Sequence, residues 1–181
     1  MVKIVNISAG GDLHKEVDLE AVRDTVDLPF VDLDHTMNRL LLRYEKDGAL
    51  FILFRTGKFI LRGGDSFEGC YKARDMFYEI LEDYGIIDSI KNIEFNIVNI
   101  VFVDSLNQEV DLSKLAVELG LDYTDYEPEH FPGLIYRPPD CSPTVTIYST
   151  GNLTMTGART VEEAENTIAK LRERIIDEHD K

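Results

Sequence analysis

The chain repeats itself, and this limits the folds that it can adopt. Ile4–Ile7 (Ile-Val-Asn-Ile) recurs as Ile97–Ile100, and Glu16–Leu19 recurs as Glu109–Leu112, both at an offset of 93 residues. Further matches follow in order at an offset of 94: Arg43 with Arg137, Thr56-Gly57 with Thr150-Gly151, and Gly63 with Gly157. We therefore predict two repeats, residues 1–90 and 91–181, in one compact structural unit. Two copies are too few for a solenoid.

Both copies have the same order of predicted elements. A strand opens each copy, at 2–8 and at 95–103, and Asp18 or Asp111 then caps a short helix. Three strand-like runs separated by turn signals follow: 38–45, 49–55 and 58–62 in the first copy, and 133–137, 144–149 and 152–156 in the second. A long helix with one apolar stripe closes each copy.

The ends of the long helices are also marked. The first is capped by Asp65 or Ser66 and stops at Gly85, and its stripe runs from Ala73 to Tyr84. In the second, Thr160–Glu163 is a capping box, and the stripe is formed by Val161, Ala164, Ile168, Leu171 and Ile175. The glycine pairs 10–11 and 63–64 are interpreted as turns.

This order of elements predicts an α+β fold, because strands joined by tight turns pair antiparallel and helices with one apolar face cover one side of the sheet. The other face should then alternate to polar residues. Yet Leu50–Phe54 and Phe59–Leu61 are apolar at every position. This indicates a binding surface on the first copy. The alternative is a strand buried on both sides, by the other repeat or by a dimer.

The charge of the chain is unfavourable for nucleic-acid binding. Its 34 acidic and 19 basic residues leave a net charge of −15, whereas neutralisation of phosphates supplies most non-specific affinity. Composition alone favours a protein partner, or a surface adapted to high internal salt. No apolar run reaches the roughly 18 residues that span a bilayer, and Cys70 and Cys141 show no pairing pattern. We expect a cytoplasmic protein.

The sequence offers little for catalysis. It contains no nucleophile elbow, P-loop, dinucleotide fingerprint or zinc spacing. Asp32–His35 (Asp-Leu-Asp-His) has metal-ligating side chains but no further ligands at a supporting spacing. We therefore predict that the protein is not an enzyme and holds neither a cofactor nor a metal.

Four segments carry a resemblance to a known family: Tyr126–Arg137 (Tyr-Glu-Pro-Glu-His-Phe-Pro-Gly-Leu-Ile-Tyr-Arg), Ile97–Val101, Thr156–Arg159 and Thr56–Lys58. They resemble the TATA-box-binding proteins of the archaeal kind, over roughly residues 2–177 and with a divergent first repeat. The resemblance implies a two-repeat saddle, a continuous curved antiparallel sheet with helices on its convex face. It implies a general transcription initiation factor that binds and bends A·T-rich promoter DNA through the minor groove and recruits transcription factor B and RNA polymerase.

The resemblance also implies which residues face DNA. The intercalating wedges would be Phe131 with Tyr148 in the second repeat, and Phe54 with Met37 in the first. The other predicted DNA-facing residues on the sheet are Asn6, Ser8, Ile52, Ile60, Arg62, Asn99, Val101, Thr154 and Thr156. Basic contacts to the DNA backbone would come from Arg43, Lys58, Arg137 and Arg159, whereas Asp65 and Asn152 replace two further basic residues. Glu127 and Glu129 would contact transcription factor B.

Some departures from the family pattern leave a second function open. Arg62 is the counterpart of Thr156, so it either reaches into the minor groove or changes the sequence preference. Asp65 beside a phosphate should weaken binding. The alternative is a divergent saddle that acts mainly through protein partners as a transcription regulator with weak DNA affinity. Without DNA, we expect a homodimer with Ile52, Phe54 and Ile60 at or near the contact.

Overall fold

The computed structural model describes residues 1–179, so that Asp180 and Lys181, at the end of the predicted second repeat, lie outside the described residues. The first half contains β1 (Lys3–Asp12), α1 (Leu19–Thr25), β2 (Phe30–Asp34), β3 (Arg39–Arg43), β4 (Leu50–Phe54), β5 (Lys58–Arg62) and α2 (Phe67–Asp83). The second half contains β6 (Glu94–Ser105), α3 (Leu112–Leu119), β7 (Thr124–Asp125), β8 (Gly133–Tyr136), β9 (Thr144–Tyr148), β10 (Asn152–Thr156) and α4 (Val161–His179).

The chain divides into two compact units with the same topology. The first unit is residues 6–98, and the second is residues 1–5 together with the chain from Asn99 onward. The strand order is β2-β3-β4-β5-β1 in the first unit and β7-β8-β9-β10-β6 in the second. Strand pairs within each unit are antiparallel. The predicted α+β architecture is confirmed, and the repeat boundary after residue 90 stays a prediction.

Alternation along the strands of each unit gives the sheet a helix-covered face. In the first unit, Phe51 stacks on Phe77 of α2 with ring centroids 3.8 Å apart, and Phe59 lies 5.6 Å from the same ring. Each of these rings is almost fully buried, and burial of one such side chain contributes about 1.5–3 kcal/mol. The core of the second unit contains Phe102, Leu134, Val145, Ile147, Ala164, Ile168 and Leu171.

The short helices begin as predicted. The carboxylate of Asp18 accepts hydrogen bonds from the backbone N–H groups of Glu20 and Ala21, both at 3.1 Å. In the second repeat, Asp111 accepts from Ser113 and Lys114 at 3.0 and 3.1 Å. These bonds satisfy donors in the first turn that have no partner within the helix.

The long helices also begin and end at residues that the sequence predicted. Ser66, and not Asp65, caps α2 by accepting from the N–H of Gly69. Gly85 has φ of 68°, and the N–H of Ile86 bonds to the carbonyl of Leu81, which closes α2 with a Schellman motif. At the start of α4, Thr160 accepts from the N–H of Glu163 at 3.1 Å.

One turn recurs in both units and explains a repeated glycine. Gly57 lies between β4 and β5 with φ of 86°, and Gly151 lies between β9 and β10 with φ of 81°. A Cβ would collide with the carbonyl oxygen of Lys15 at Gly57 and with that of Gln108 at Gly151. Only glycine avoids both the contact and the left-handed strain.

Several expectations about the elements were wrong. The edge strands of the two units, β2 and β7, were not predicted from the sequence. The strands β1 and β6 are longer than predicted, so that Gly10 and Gly11 lie inside β1 and do not form a turn. A Cβ at Gly11 would collide with the ring of Phe59 and the carbonyl of Glu94, so close packing requires this glycine. Val161, assigned to the apolar stripe of α4, is 38% exposed because it lies in the first turn.

No helix in the part of the chain that the structure describes is long and apolar enough to cross a membrane.

Candidate nucleic-acid interface

Each unit has a second face that the helices do not cover, called here the open face. In the first unit it consists of Asn6, Ser8, Gly10 and Asp12 on β1, Lys58, Ile60 and Arg62 on β5, Leu50, Ile52 and Phe54 on β4, Arg39, Leu41 and Arg43 on β3, and Phe30, Asp32 and Asp34 on β2. In the second unit it consists of Asn99, Val101, Val103 and Ser105 on β6, Asn152, Thr154 and Thr156 on β10, Thr144, Thr146 and Tyr148 on β9, Gly133 and Ile135 on β8, and Asp125 on β7.

The open face of the first unit is not acidic, although the chain is. Its cationic side chains are Arg39, Arg43, Lys58 and Arg62, and its acidic ones are Asp12, Asp32 and Asp34. The face thus has one more positive than negative side chain, in a chain with a net charge of −15. The acidic residues concentrate elsewhere: α2 and α4, counted through Ile175, carry nine acidic and five basic residues.

The open face of the second unit is nearly uncharged. On β6, β8, β9 and β10 it carries hydroxyl, amide and apolar groups only, and the edge strand β7 adds Asp125. Thr156 pairs with Val101 and Thr144, and Thr154 pairs with Val103 and Thr146. These side chains are half-buried. Such a surface presents hydroxyl donors between methyl groups. It suits the minor groove, where A·T pairs present only hydrogen-bond acceptors.

An aromatic pair lies at the end of the open face of the second unit. The rings of Phe131 and Tyr148 meet edge to face, with centroids 6.3 Å apart and planes at 61°. Phe131 is 39% exposed. Gly133 pairs with Tyr148 across β8 and β9, and a Cβ on Gly133 would lie 2.8 Å from Phe131 Cε1. The missing side chain of Gly133 therefore makes room for the Phe131 ring.

The corresponding end of the first unit is built differently. Met37 is 59% exposed in the turn between β2 and β3. Arg39 pairs with Phe54 across β3 and β4, and its Nε donates to the carboxylate of Asp34 at 3.0 Å. The other oxygen of Asp34 accepts from the N–H groups of Thr36 and Met37. The Met37 N–H above all, with help from Arg39, lowers the pKa of Asp34 below its ordinary value.

The predicted phosphate contacts are accessible to different degrees. Lys58, Arg137 and Arg159 are exposed. Arg43 is half-buried and donates through Nη1 to the carbonyl of Gly48, which fixes its guanidinium beside the β3–β4 loop. A guanidinium has five N–H donors, so this bond leaves others for a phosphate. Asp65 is exposed immediately before the cap of α2.

One predicted DNA-facing residue is less accessible than the sequence suggested. Ile52 is on the open face but only 3% exposed, because it lies between Leu41 and Ile60 on the neighbouring strands. A dimer contact through Ile52 would be limited for the same reason. Asn6, Ser8, Phe54 and Ile60 are half-buried, as are Asn99, Val101, Tyr148, Thr154 and Thr156. Arg62 is exposed and pairs with Ser8 and Leu50.

Sequence reasoning missed several residues of the open face. Val103, Thr146 and Ile135 continue the rows of the second unit, and their alternation with buried residues along β6, β9 and β8 is the signal that identifies them. It also missed Arg39 and Gly133, whose roles depend on neighbours across the sheet.

The loop 126–132 between β7 and β8 carries the residues predicted to bind a protein partner. Glu127 and Glu129 are exposed, and Glu127 lies 3.0 Å from the imidazole of His130. The N–H groups of His130 and Phe131 both bond to the carbonyl of Glu127 at 2.9 Å. The loop thus holds two carboxylates in water next to the aromatic pair.

The segment Asp32–His35 does not form a metal site. Within the described residues, no group of three or more His, Cys, Asp or Glu side chains is arranged to hold a metal ion. The carboxylate of Asp34 is instead engaged by the turn and by Arg39.

Comparisons with known proteins agree with this architecture. A family model described as transcription factor TFIID, or TATA-binding protein, matches the chain twice, over residues 1–84 and 94–177. TATA-box-binding protein C of Halobacterium salinarum is 35% identical over 91% of this chain and 92% of that protein. The TATA-box-binding protein of Archaeoglobus fulgidus is 30% identical over 96% and 94%. The solved structure of Methanococcus jannaschii TBP superposes with a TM-score of 0.79 at 32% identity, covering 97% of this chain and 98% of the other. These similarities confirm the predicted fold class.

The contacts of Asp34 predict its titration. Because its folded pKa is lowered, the contacts of the carboxylate are intact at neutral pH, and their contribution to stability is lost as the pH falls through the folded pKa. Arg39→Gly should raise this pKa only in part, since the N–H of Met37 is the larger cause. The measurement is a carboxyl-carbon NMR titration of both proteins. An ordinary pKa in the wild type would contradict the assignment.

Proposed function

This chain belongs to the TATA-binding protein family, and we propose that it is a general transcription initiation factor that binds A·T-rich promoter DNA in the minor groove and bends it. The open faces of the two units would contact the DNA. The recruitment of transcription factor B, and through it of RNA polymerase, is part of the proposal.

The observation that carries this proposal is the separation of charge. In a chain with a net charge of −15, the open face of the first unit has more cationic than acidic side chains, and that of the second is nearly uncharged. A sheet that serves only to hide apolar residues does not require this separation. A broad apolar and hydroxyl surface fits the minor groove, which distinguishes A·T from G·C pairs by few polar groups.

The aromatic pair of the second unit supports bending. An exposed ring that is held by an edge contact can enter an opened base step, and the surface gained by the bend offsets the cost of unstacking. Asn6 and Asn99 would lie against base edges, and Arg43, Lys58, Arg137 and Arg159 against phosphates. Phe54 and Met37 would lie against the DNA in the first unit.

Replacement of the exposed ring tests intercalation. Phe131→Ala should weaken binding to an A·T-rich duplex by about 1–3 kcal/mol, the usual contribution of a stacked base contact, and should reduce bending measured by fluorescence transfer between the DNA ends. Tyr123→Ala is the control, since Tyr123 is a similarly exposed aromatic residue of the same unit beside the end of α3. Unchanged bending in Phe131→Ala would exclude this role.

Salt should have two opposing effects on binding. Added ions screen the repulsion between phosphates and the acidic surface, which acts over a Debye length of about 8 Å at physiological ionic strength. They also compete with the few basic contacts through counterion release. The usual steep loss of affinity with salt should therefore be reduced.

A local charge reversal separates these effects. Asp65 is the counterpart of Arg159, so Asp65→Lys should raise the affinity and make the dependence on salt steeper. Asp83→Lys makes the same change in net charge at the far end of α2 and should do much less. Binding is measured by fluorescence anisotropy over a range of salt. Equal effects of the two substitutions would show that net charge, and not position, sets the affinity.

The acidic loop supports a protein partner next to the bound DNA. Glu127 and Glu129 are exposed on loop 126–132, and Glu127 lies 3.0 Å from His130. Both carboxylates are therefore accessible to a basic partner. Transcription factor B is the partner that we propose for this loop. The acidic net charge also favours the alternative, a regulator that acts mainly through proteins.

A gel-shift experiment separates the two functions. Wild-type protein should retard an A·T-rich promoter duplex alone, and transcription factor B should produce a slower complex. Glu127→Arg combined with Glu129→Arg should remove the slower complex and leave the first one in place, because the loop would then repel a basic partner. If the wild type retards DNA only when transcription factor B is present, the regulator function is favoured.

A further inference from the structure

The two units differ at the place where a wedge residue must be supported. In the second unit, Phe131 lies over Gly133 and against Tyr148, and even a Cβ on Gly133 would come within 2.9 Å of Thr146 Cγ2. The ring therefore occupies the space above Gly133, between Thr146 and Tyr148, that is open because residue 133 has no side chain; this space is called here the seat. In this position the Phe131 side chain is 39% exposed.

In the first unit, the residue at the position of Gly133 has a long side chain. The offset of 94 places Met37, Arg39 and Phe54 opposite Phe131, Gly133 and Tyr148. Arg39 pairs with Phe54 as Gly133 pairs with Tyr148. Its guanidinium is held at 3.0 Å by Asp34, and both side chains are half-buried, at 30% and 23% exposure.

The ion pair is fixed by the turn that carries Met37. One oxygen of Asp34 accepts the N–H groups of Thr36 and Met37, and the other accepts from Arg39. Moving Arg39 away would require it to leave a carboxylate that two backbone N–H groups orient. Met37, in the same turn, is 59% exposed.

We propose that Arg39 and Gly133 determine which end of the bound DNA is opened: the second unit unstacks a base step and the first does not. This inference rests on the proposed DNA binding. The wedge of the second unit is preorganised by Gly133, whereas Arg39 and Asp34 block its counterpart in the first unit. The DNA is thus kinked at one end only, and the bound protein has a direction even on a symmetric site.

A palindromic A·T-rich duplex with 2-aminopurine at both outer base steps tests this inference. Time-resolved fluorescence gives the fraction of labels that are unstacked, and anisotropy of the same duplex gives the fraction bound. At saturation, the wild type should unstack one label of the two. Arg39→Gly combined with Met37→Phe should raise the unstacked fraction about twofold, because it rebuilds the seat and the ring in the first unit.

Changes in the second unit should act in the opposite direction. Gly133→Arg should abolish unstacking. Phe131→Ala should do the same, and because it does not crowd the sheet it serves as the second variant in case Gly133→Arg fails to fold. Arg43→Gly is the matched control, since it removes a cation from the same strand and face without clearing the seat. It should weaken binding and leave the number of unstacked labels at saturation unchanged.

The two proposals fail in different ways. Absence of binding by the wild type at every salt concentration would contradict the proposed function. Normal binding with both ends unstacked in the wild type, or with no gain in the double variant, would overturn the asymmetry and leave the proposed function intact.

Discussion

The structure depends on one constraint, which is that each unit has apolar helix surface for one face of its sheet only. Strand side chains alternate, so Phe51 and Phe59 reach Phe77 of α2 while Ile52 and Ile60 point the other way. The helices cannot cover both sets. Every residue of the open face must therefore be stable next to water or next to a ligand. The two units meet this requirement with different residues, by charged side chains around packed apolar ones in the first and by threonine hydroxyls in the second.

Local signals predicted most of the fold. Asp18, Asp111, Ser66 and Thr160 cap helices through bonds between residues close in sequence, and such bonds can be anticipated from spacing. The edge strands β2 and β7 were missed because pairing across the sheet, and not their own sequence, defines them. Gly11 was taken for a turn for a similar reason, since the ring of Phe59 that excludes a side chain there is 48 residues away along the chain.

The candidate site shows the same limit. Repeat spacing and family resemblance selected residues of the open face, and the structure places most of them there. Met37, Phe131, Arg137 and Arg159 lie outside the strands. The accessibility of these residues could not be predicted from the sequence. The exposure of Ile52, for example, is set by Leu41 and Ile60 on other strands. The importance of Arg39 was also hidden, since an arginine in a strand is ordinary until Asp34 and Phe54 are seen beside it.

The charge of the chain takes on a different meaning once its positions are known. A net charge of −15 would repel DNA if it were spread evenly. Repulsion falls off within a Debye length of about 8 Å, however, so acidic groups on the outer surfaces of the helices act weakly on a ligand at the open face. What a phosphate meets first is the local set, Arg39, Arg43, Lys58 and Arg62 in the first unit. Since Asp34 already engages Arg39, the first unit has three other cations on this face, Arg43, Lys58 and Arg62, for the proposed contacts to phosphate. Under the proposed function, a protein of this kind tolerates a very acidic exterior only while these few positions stay basic. The acidic residues that oppose them are Asp12 and Asp32 on the same face, and Asp65 immediately before the cap of α2.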